Sequence, residues 1–363
     1  MKVVIAPDSF KGSIAAADAA DALAAGWLDA RPGDEVIRVP LADGGEGTLD
    51  VLAAANPSAR RHQVRVSGPA GHPVDSGWLE LPGRTAAVEL ASSSGLPLMP
   101  RPDPLGAHTT GLGEVIAHAL GSAAGMNRLL IALGGSASTD GATGALAALG
   151  ARFLDEDGRP VPAGGGGLPM LAAVDLTGLR PPPRGGVACL ADVTAPLLGP
   201  AGAAAVFAPQ KGADAEQVAQ LETGLARLAS LLGGDPDAPG AGAAGGTGYG
   251  FAAAWGAVIT PGAQELCRLA GLEPALRGAS LVITGEGRYD RSSGTGKAPG
   301  AVLAAAAVRG LPAALVAGAV AADPPAAARD VLSLADLAGG QAAAVREPAR
   351  WLREAGRRLA GLH

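Results

Sequence analysis

The chain has 363 residues, of which 48% are hydrophobic and 17% are charged, and this composition excludes intrinsic disorder because it can bury a sizeable core. Its length indicates about two domains. The formal net charge of −6 and the aromatic content of 3% argue against nucleic-acid binding, which needs a basic surface and stacking platforms.

The first elements along the chain alternate between strand and helix. A short β-branched run, Lys2–Ala6, predicts a buried strand. Ser13–Ala30 predicts an alanine-rich helix whose first residue is its N-cap. Val36–Val39 predicts a second strand, and a glycine turn then leads into a predicted helix at Leu49–Ala55.

The C-terminal part of the chain repeats this alternation. Strands are predicted at Ser280–Thr284, Ala313–Val316 and Asp330–Leu334, and helices at Ala298–Val308 and Glu347–Ala360. Strands that alternate with helices predict a doubly wound α/β sheet. Because both ends of the chain carry the pattern, we predict one domain built from residues 1–65 plus 262–363.

The middle of the chain, residues 66–261, has a different pattern and is predicted to be an inserted mixed α/β domain. Three short runs are spaced like a β-meander, namely Val64–Val66, Gly77–Leu81 and Ala86–Leu90. A helix at Gly113–Leu120 and a strand at Arg128–Leu133 are predicted to follow.

The sequence also predicts where the protein works. Residues 1–5 lack the apolar run of a signal peptide. The longest uncharged stretch, Ala238–Gln264, is glycine-rich and contains two prolines, unlike a lipid-spanning helix. Cys189 and Cys267 are too few for a disulfide framework and are expected to be buried thiols. We therefore expect a cytoplasmic protein with no membrane partner.

Several predicted strands end in glycine clusters that also hold acidic or hydroxyl residues. These clusters are Asp8–Ser13, Leu41–Thr48, Gly134–Gly141 and Gly285–Asp290. In open α/β sheets, ligands bind outside the carboxyl ends of the strands. Backbone amides in such turns can approach an anion closely, and neighbouring carboxylates can hold Mg²⁺ together with phosphate oxygens. The clusters therefore predict phosphoryl transfer.

Lysine is rare in this chain, since only four of its 28 basic residues are lysines. Three of them, Lys11, Lys211 and Lys297, stand beside glycine or proline, whereas Lys2 fits a surface position. A lysine ammonium is a compact point charge that suits a phosphate oxygen. We therefore predict that at least two of the three contact an anionic ligand.

Each of these features also has a structural interpretation. Gly134–Gly144 could be a tight turn that allows close packing of a helix on a strand. Asp43 and Asp140 could be turn or cap residues, and Asp192 could fix the turn before Pro196.

Two other functions stay open at this stage. The first is an NAD(P)-dependent 2-hydroxy-acid oxidoreductase, for which Gly240–Gly245 matches G-x-G-x-x-G, although Gly233–Pro239 before it cannot be a strand. The second is a non-catalytic two-domain protein that binds an anion. The five histidines lack the spacing of zinc ligands, so a carboxylate is the better candidate for a general base.

Taken together, the motifs resemble those of the type-1 glycerate kinases. The resembling stretches are Val4–Ser13, Ala42–Thr48, Gly134–Ala137, Asp192–Thr194, Pro209–Ala213, Gly240–Gly246 and Val282–Arg288, in the family's order. The chain departs from the family pattern at Thr139 and Ala195, where the family usually has Asn.

The resemblance implies an ATP-dependent kinase that phosphorylates a hydroxyl of D-glycerate, giving 2-phosphoglycerate in preference to 3-phosphoglycerate. It implies two α/β domains, one of them flavodoxin-like and discontinuous, with the active site in the cleft between them. ATP and Mg²⁺ are the implied cofactors. Glycerate and ATP are the expected partners of a chain that acts as a monomer or homodimer.

On this reading we predict the following site residues. The catalytic candidates are Asp192 as the base or hydroxyl-orienting group, Asp8 as its alternative, Lys11 and Lys297. The substrate-binding candidates are Ser9, Lys11, Asp43 and Lys211. The ATP-binding candidates are Gly134, Gly135, Ser136, Gly285, Glu286, Gly287 and Lys297, and the metal candidates are Asp43, Glu46 and Asp290.

Overall fold

The structure is a computed structural model that describes residues 1–123, 125–290, 293, 296–324 and 326–363. These residues form two compact units. Unit 1 consists of Met1–Asp43, Asp50–Pro57 and Gly262–His363, and unit 2 consists of Gly44–Leu49 and Ser58–Pro261. The sequence predicts that residues 1–65 belong with the C-terminal part of the chain. In the structure, Ser58–Pro261 belongs to unit 2, because the strand Arg60–Ser67 pairs with the next strand, Pro73–Leu81.

The bounds of the elements are as follows. The strands are, in chain order, β1 (Lys2–Pro7), β2 (Glu35–Arg38), β3 (Arg60–Ser67), β4 (Pro73–Leu81), β5 (Thr85–Glu89), β6 (Arg128–Ala132), β7 (Arg152–Leu154), β8 (Ala173–Asp175), β9 (Val187–Leu190), β10 (Val258–Thr260), β11 (Leu281–Tyr289), β12 (Ala313–Val320) and β13 (Ala328–Ser333). The helices are α1 (Ala16–Ala30), α2 (Thr48–Ala55), α3 (Ala91–Ser94), α4 (Thr110–Leu120), α5 (Thr143–Ala148), α6 (Ala203–Phe207), α7 (Ala215–Leu232), α8 (Ala243–Trp255), α9 (Gly262–Leu269), α10 (Leu272–Leu276), α11 (Ala298–Val308), α12 (Leu334–Ala338), α13 (Gln341–Arg346) and α14 (Pro348–Leu362). Short 3₁₀ turns lie at Leu96–Leu98, Gly165–Met170 and Pro209–Lys211.

The sheet of unit 1 is parallel throughout, in the order β13-β12-β11-β1-β2. Numbered within the unit, this order is 2-1-3-4-5, the flavodoxin-like doubly wound arrangement. The prediction of such a sheet built from both chain ends is confirmed. In this arrangement the direction of winding reverses between β1 and β11, and ligands bind at the carboxyl ends of the strands at that switch point.

The core of unit 1 covers both faces of its sheet. Val3 and Ile5 of β1 pack with α1 and α14, whereas Val4 and Ala6 pack with α9, α10 and α11. All four side chains are fully buried. A strand whose interior residues are all apolar belongs in the middle of such a sheet, which explains why the run Val3–Ala6 predicts a buried strand.

The first and last long helices approach each other closely through glycines. A Cβ built on Gly26 of α1 would lie 1.8 Å from the carbonyl oxygen of Arg353, and one built on Gly356 of α14 would lie 2.2 Å from that of Leu23. Only glycine fits at either position without a backbone shift. The two ends of the chain are thus packed together within unit 1.

The main sheet of unit 2 is mixed and has the order β10-β9-β6-β5-β4-β3. β3, β4 and β5 form the predicted antiparallel meander, whereas β5, β6, β9 and β10 are parallel. The carboxyl ends of β5, β6 and β9 therefore lie side by side. A separate antiparallel pair is formed by β7 and β8.

One local prediction is corrected, and the prediction that no strand precedes the 240–245 glycines is confirmed. Ser13 does not cap α1, because the N-cap residue is Ala15 and the Phe10–Ile14 segment forms its own hydrogen-bonded turn ahead of the helix. The glycine stretch at 240–246 follows turns rather than a strand, so it is not a dinucleotide loop. Its Gly245 has a left-handed φ of 65°, and a Cβ there would lie 2.2 Å from the Ser138 carbonyl oxygen. The stretch thus serves close packing.

Two expectations about the chain as a whole can also be compared with the structure. Cys189 and Cys267 are buried free thiols, as predicted. Within the described ranges, none of the helices combines the length and the apolar character needed to cross a membrane.

Candidate active site

A cavity of about 270 Å³ opens in unit 1, where the loop after β1 meets the C-terminal half of β11. Its charged lining residues are Asp8, Lys11, Asp43, Glu286, Arg288, Asp290 and Lys297. Ser9 and Gly287 also line it. Three of the glycine-bearing clusters that follow strands in the sequence thus contribute to one cavity, at the switch point of the sheet.

Backbone contacts between β1 and β11 position the loop that carries Asp8 and Lys11. The amide of Asp8 donates to the carbonyl oxygen of Gly285 (2.8 Å), so that Gly285 itself lies inside the sheet. A Cβ built on Gly287 would lie only 3.1 Å from the Lys11 amide nitrogen. The glycine at 287 therefore allows the loop to lie against β11.

Asp8 is a buried carboxyl group, 4% exposed, among other acids. Burial raises its pKa to about 7, the Asp43 carboxylate and Glu286 raise it as well, and the Ser9 amide and Lys11 oppose the rise. The Ser9 amide donates to Asp8 Oδ1 at 2.6 Å. Asp8 can thus exchange a proton near neutral pH, which is the range in which a general base is most effective.

Glu286 is the second buried acid of the cavity. Its Oε1 atom finds no hydrogen-bond partner among the described residues. Burial raises the pKa of Glu286, while the Ser293 hydroxyl and Lys297 lower it and Asp290 raises it. A buried carboxylate oxygen without a donor is unusual and fits a ligand that brings a cation or a proton.

Two lysines bring positive charge to these acids. Lys11 Nζ lies 3.3 Å from Asp43 Oδ2. Burial lowers the pKa of Lys11, but Asp43 and Asp8 outweigh this and raise it above its ordinary value. Lys297 is half-buried and is the N-cap residue of α11. Of the segment before it, Gly294 and Thr295 lie outside the described residues.

The carboxylates of the cavity are the donors that Mg²⁺ prefers. Asp43 and Asp290 both line the cavity, whereas Glu46 is exposed on the Gly44–Leu49 segment of unit 2 and is not a lining residue. Within the described ranges, no three His, Cys, Asp or Glu side chains are arranged as a metal site. Since Mg²⁺ needs only one or two protein oxygens in addition to phosphates and water, these acids fit an ion that enters together with a nucleotide.

In unit 2, the Gly134–Ser136 turn follows β6 as the sequence predicts. The amide of Gly134 already donates to the carbonyl oxygen of Gly44 (3.0 Å), and a Cβ on Gly134 would lie 2.4 Å from Gly45 Cα. This glycine thus allows close backbone packing, and its N–H has no second hydrogen for a phosphate. The amides of Gly135 and Ser136 stay candidates.

Asp140 and Lys211 make internal contacts in unit 2. Asp140 Oδ2 accepts hydrogen bonds from the amide and hydroxyl of Thr109 (2.9 and 2.8 Å) and from the Gly144 amide (3.2 Å). These bonds favour the interpretation of Asp140 as a structural turn or cap residue. Lys211 is 4% exposed and its ammonium donates to the Ser138 carbonyl oxygen. Burial lowers the pKa of Lys211 to about 8. Its contact with substrate stays a prediction.

Glu89 and Asp192 lie near the carboxyl ends of β5 and β9, the two parallel strands on either side of β6 in unit 2. Asp192, two residues after β9, is half-buried. Glu89 ends β5, and its carboxylate accepts from the amides of Gly47 and Leu49 (both 3.2 Å), which fixes the turn before α2. Sequence reasoning missed Glu89 because no glycine cluster follows it, although its place at the end of a predicted strand was a usable signal.

Comparisons with known proteins agree with one another. The model of the glycerate kinase family matches residues 3–363. The chain is 41% identical over 308 residues to the glycerate 2-kinase of Escherichia coli (strain K12), covering 82% of this chain and 80% of that protein. It is 42% identical over 334 residues to the glycerate kinase of Bacillus subtilis (strain 168), covering 89% and 86%. A solved structure of a candidate glycerate kinase 2 from Salmonella typhimurium LT2 superposes with a TM-score of 0.84 at 37% identity, covering 100% of this chain and 98% of that one.

Proposed function

The chain belongs to the glycerate kinase family, and from this membership and the unit 1 cavity we propose that it transfers the γ-phosphoryl group of ATP to a hydroxyl of D-glycerate. The resemblance found in the sequence is thereby confirmed, as is the class of a phosphotransferase with an alcohol acceptor. The observation that carries the proposal is that one cavity is lined by Asp8, a buried carboxyl group whose pKa is about 7, and by two lysines, Lys11 and Lys297.

A carboxylate takes the proton of the reacting hydroxyl. As the glycerate oxygen bonds to the γ-phosphorus, the bond from that phosphorus to the β,γ-bridging oxygen breaks and ADP leaves. The proton passes to Asp192 or Asp8, and the pKa of Asp8 favours Asp8 for this role at neutral pH.

Positive charge stabilises the anions on either side of the transfer. We assign to Lys11 and Lys297, which line the cavity, the neutralisation of the glycerate carboxylate and the phosphates, and to Ser9, which also lines it, the binding of the acceptor. We propose the 2-hydroxyl as the acceptor, and the name of the Escherichia coli relative, glycerate 2-kinase, supports this choice.

Asp43 and Asp290 are the residues that would hold Mg²⁺ beside Glu286. When bound, the ion supplies charge neutralisation at the phosphate oxygens. Glu46 stays a further candidate ligand. A cytoplasmic location and a monomeric or homodimeric state likewise stay predictions.

A coupled assay of ADP release tests the proposal. It compares D-glycerate with a panel of other small hydroxy acids, each against the ATPase background without acceptor. Turnover that depends on D-glycerate is expected, and a rate no higher than the background contradicts the proposal. Phosphorus NMR of the product distinguishes the 2-phosphate from the 3-phosphate. Micromolar binding of NADH in a fluorescence titration would instead favour the oxidoreductase alternative.

A further inference from the structure

The unit 1 cavity has a second half that carries no charge. Its wall consists of Leu334, Gln341, Ala344 and Val345, which belong to α12 and α13, together with Gly318 of β12. None of the motifs read from the sequence includes these residues. Leu334 and Ala344 are 1% and 4% exposed, whereas Val345 is 49% exposed although it is apolar. This half of the cavity therefore offers apolar surface to a ligand.

The two halves lie along one edge of the sheet. Asp8 follows β1, Glu286 belongs to β11, Gly318 to β12, and α12 begins directly after β13. These four strands are consecutive neighbours in the sheet. Parallel neighbours are about 4.8 Å apart, so the edge from β1 to β13 extends over about 14 Å. A ligand that fills the cavity must be elongated, with an anionic end at β1 and an apolar end at β13.

Glycerate does not meet this description, because it is a three-carbon acid with polar groups on every carbon. A nucleoside triphosphate does, since it joins a polyphosphate to a flat base that is apolar on its faces and polar at its edge. We propose that the wall formed by α12 and α13 binds the base of the phosphoryl donor, and that Gln341 reads the edge of that base. This inference rests on the proposed kinase function.

Gln341 can distinguish adenine from guanine. It is the first residue of α13, and its exposed side chain lines the cavity. A glutamine amide carries one acceptor oxygen and a donor NH₂ group. This pair matches the N6 amino donor and the N7 acceptor of adenine, whereas guanine presents two acceptors, O6 and N7, at the same edge and leaves the amide oxygen without a donor. The site is therefore expected to prefer ATP.

Two variants test the wall and its polar group separately. Val345→Asn places a polar group on the apolar wall and is expected to raise the Kd for Mg·ADP, measured by calorimetry, at least about fivefold. Gln341→Glu removes the donor and is expected to lower the ratio of kcat/KM for ATP over GTP about tenfold. The KM for D-glycerate should stay within about twofold in both variants.

Val308→Asn is the matched control, because Val308 is an 87% exposed residue of α11 that does not line the cavity. It is expected to bind ADP as the wild type does. If Val345→Asn binds ADP with the affinity of this control and Gln341→Glu keeps the nucleotide preference, the base subsite is wrong while the kinase function stands. A rise in the KM for glycerate with unchanged ADP binding would also overturn it. A wild type that neither binds ADP nor turns over glycerate contradicts the proposed function itself.

Discussion

Asp8 in unit 1 and Asp140 in unit 2 both follow a parallel strand within a turn that contains glycine, yet their surroundings differ. Asp8 faces a cavity, and its neighbours Asp43 and Glu286 repel its charge. Asp140 is fully buried, and its Oδ2 accepts three hydrogen bonds from Thr109 and Gly144. The same residue type is thus a proposed proton acceptor in one unit and a hydrogen-bonded structural residue in the other.

The lysines repeat the contrast. Lys11 is exposed and lies beside Asp43, whereas Lys211 is buried and bonds a backbone carbonyl oxygen. The acids of the unit 1 cavity are unfavourable neighbours until a cation or proton joins them, because like charges and burial both oppose ionisation. In the Asp140 cluster, hydrogen bonds within unit 2 satisfy Oδ2, whereas Oδ1 has no hydrogen-bond partner among the described residues. Four experiments test this difference, in order of decreasing expected effect.

The largest effect is the pH dependence of stability that Asp8 confers. Its pKa is about 7 in the folded protein and near 3.8 when unfolded, so the unfolded state releases the proton first as pH rises. The free energy of unfolding of the wild type should therefore fall relative to that of Asp8→Asn as the pH rises from about 4 to about 7. Above that range, the difference between the two proteins should stay constant. The full shift corresponds to a loss on the order of 4 kcal/mol. Urea unfolding at several pH values measures this loss, and parallel curves for the two proteins would refute the raised pKa.

The next largest effect concerns the hydrogen bonds of Asp140. Asp140→Ala should lower the free energy of unfolding of unit 2 by about 3 kcal/mol, because it leaves buried donors of Thr109 and Gly144 without an acceptor. Asp157→Ala, at an exposed position of the same unit, should change it by less than about 0.5 kcal/mol. Chemical denaturation measures the free energy of unfolding of both variants. Equal small effects would mean that Asp140 is not a structural residue.

Asp8→Asn should reduce kcat/KM for D-glycerate at least about a hundredfold, or about 2.7 kcal/mol, because the amide cannot accept the proton. Its stability at neutral pH should not fall, since a repelled charge is removed. Asp192→Asn is measured beside it in steady-state assays. If Asp192→Asn is the slower enzyme and Asp8→Asn keeps more than about a tenth of the activity, Asp192 is the base.

The smallest expected effect is that of Lys297→Ala. Loss of the ammonium should reduce kcat/KM at least about tenfold, which corresponds to about 1.4 kcal/mol of transition-state stabilisation. Lys2→Ala is the control, because Lys2 bonds the carbonyl oxygen of Arg277 and does not line the cavity. Steady-state kinetics at saturating and limiting ATP separate binding from turnover. Near-wild-type activity of Lys297→Ala would exclude this lysine from the site.

Much of unit 1 could be predicted because its signals are local. The β-branched run predicts β1 to within one residue, and the predicted bounds of α11 coincide with those observed. The gathering of Asp8, Asp43 and Glu286 follows from one rule, that parallel strands present their carboxyl ends at the same edge. Local pattern and sheet topology were sufficient for these residues.

The rest depends on partners that are distant along the chain. Whether an acid after a strand faces a cavity or bonds inward is decided by contacts such as that of Asp140 with Thr109, 31 residues away. The buried ammonium of Lys211 donates to the carbonyl oxygen of Ser138, which is 73 residues away. Gln341 and Val345 carry no motif, and only the packing of α12 and α13 brings them to the cavity. Sequence spacing contains none of these contacts.

The pairing of β1 with β11 also determines the order in which the protein can form during synthesis. The carbonyl oxygen of Ala6 accepts a hydrogen bond from the hydroxyl of Thr284, 278 residues later in the chain. β1 therefore cannot pair with β11 until most of the chain has been translated. By then the last residue of unit 2, Pro261, has already emerged. Domains generally fold as units during translation. The inserted unit can therefore fold first, and the cavity is completed only when the nascent chain is nearly finished.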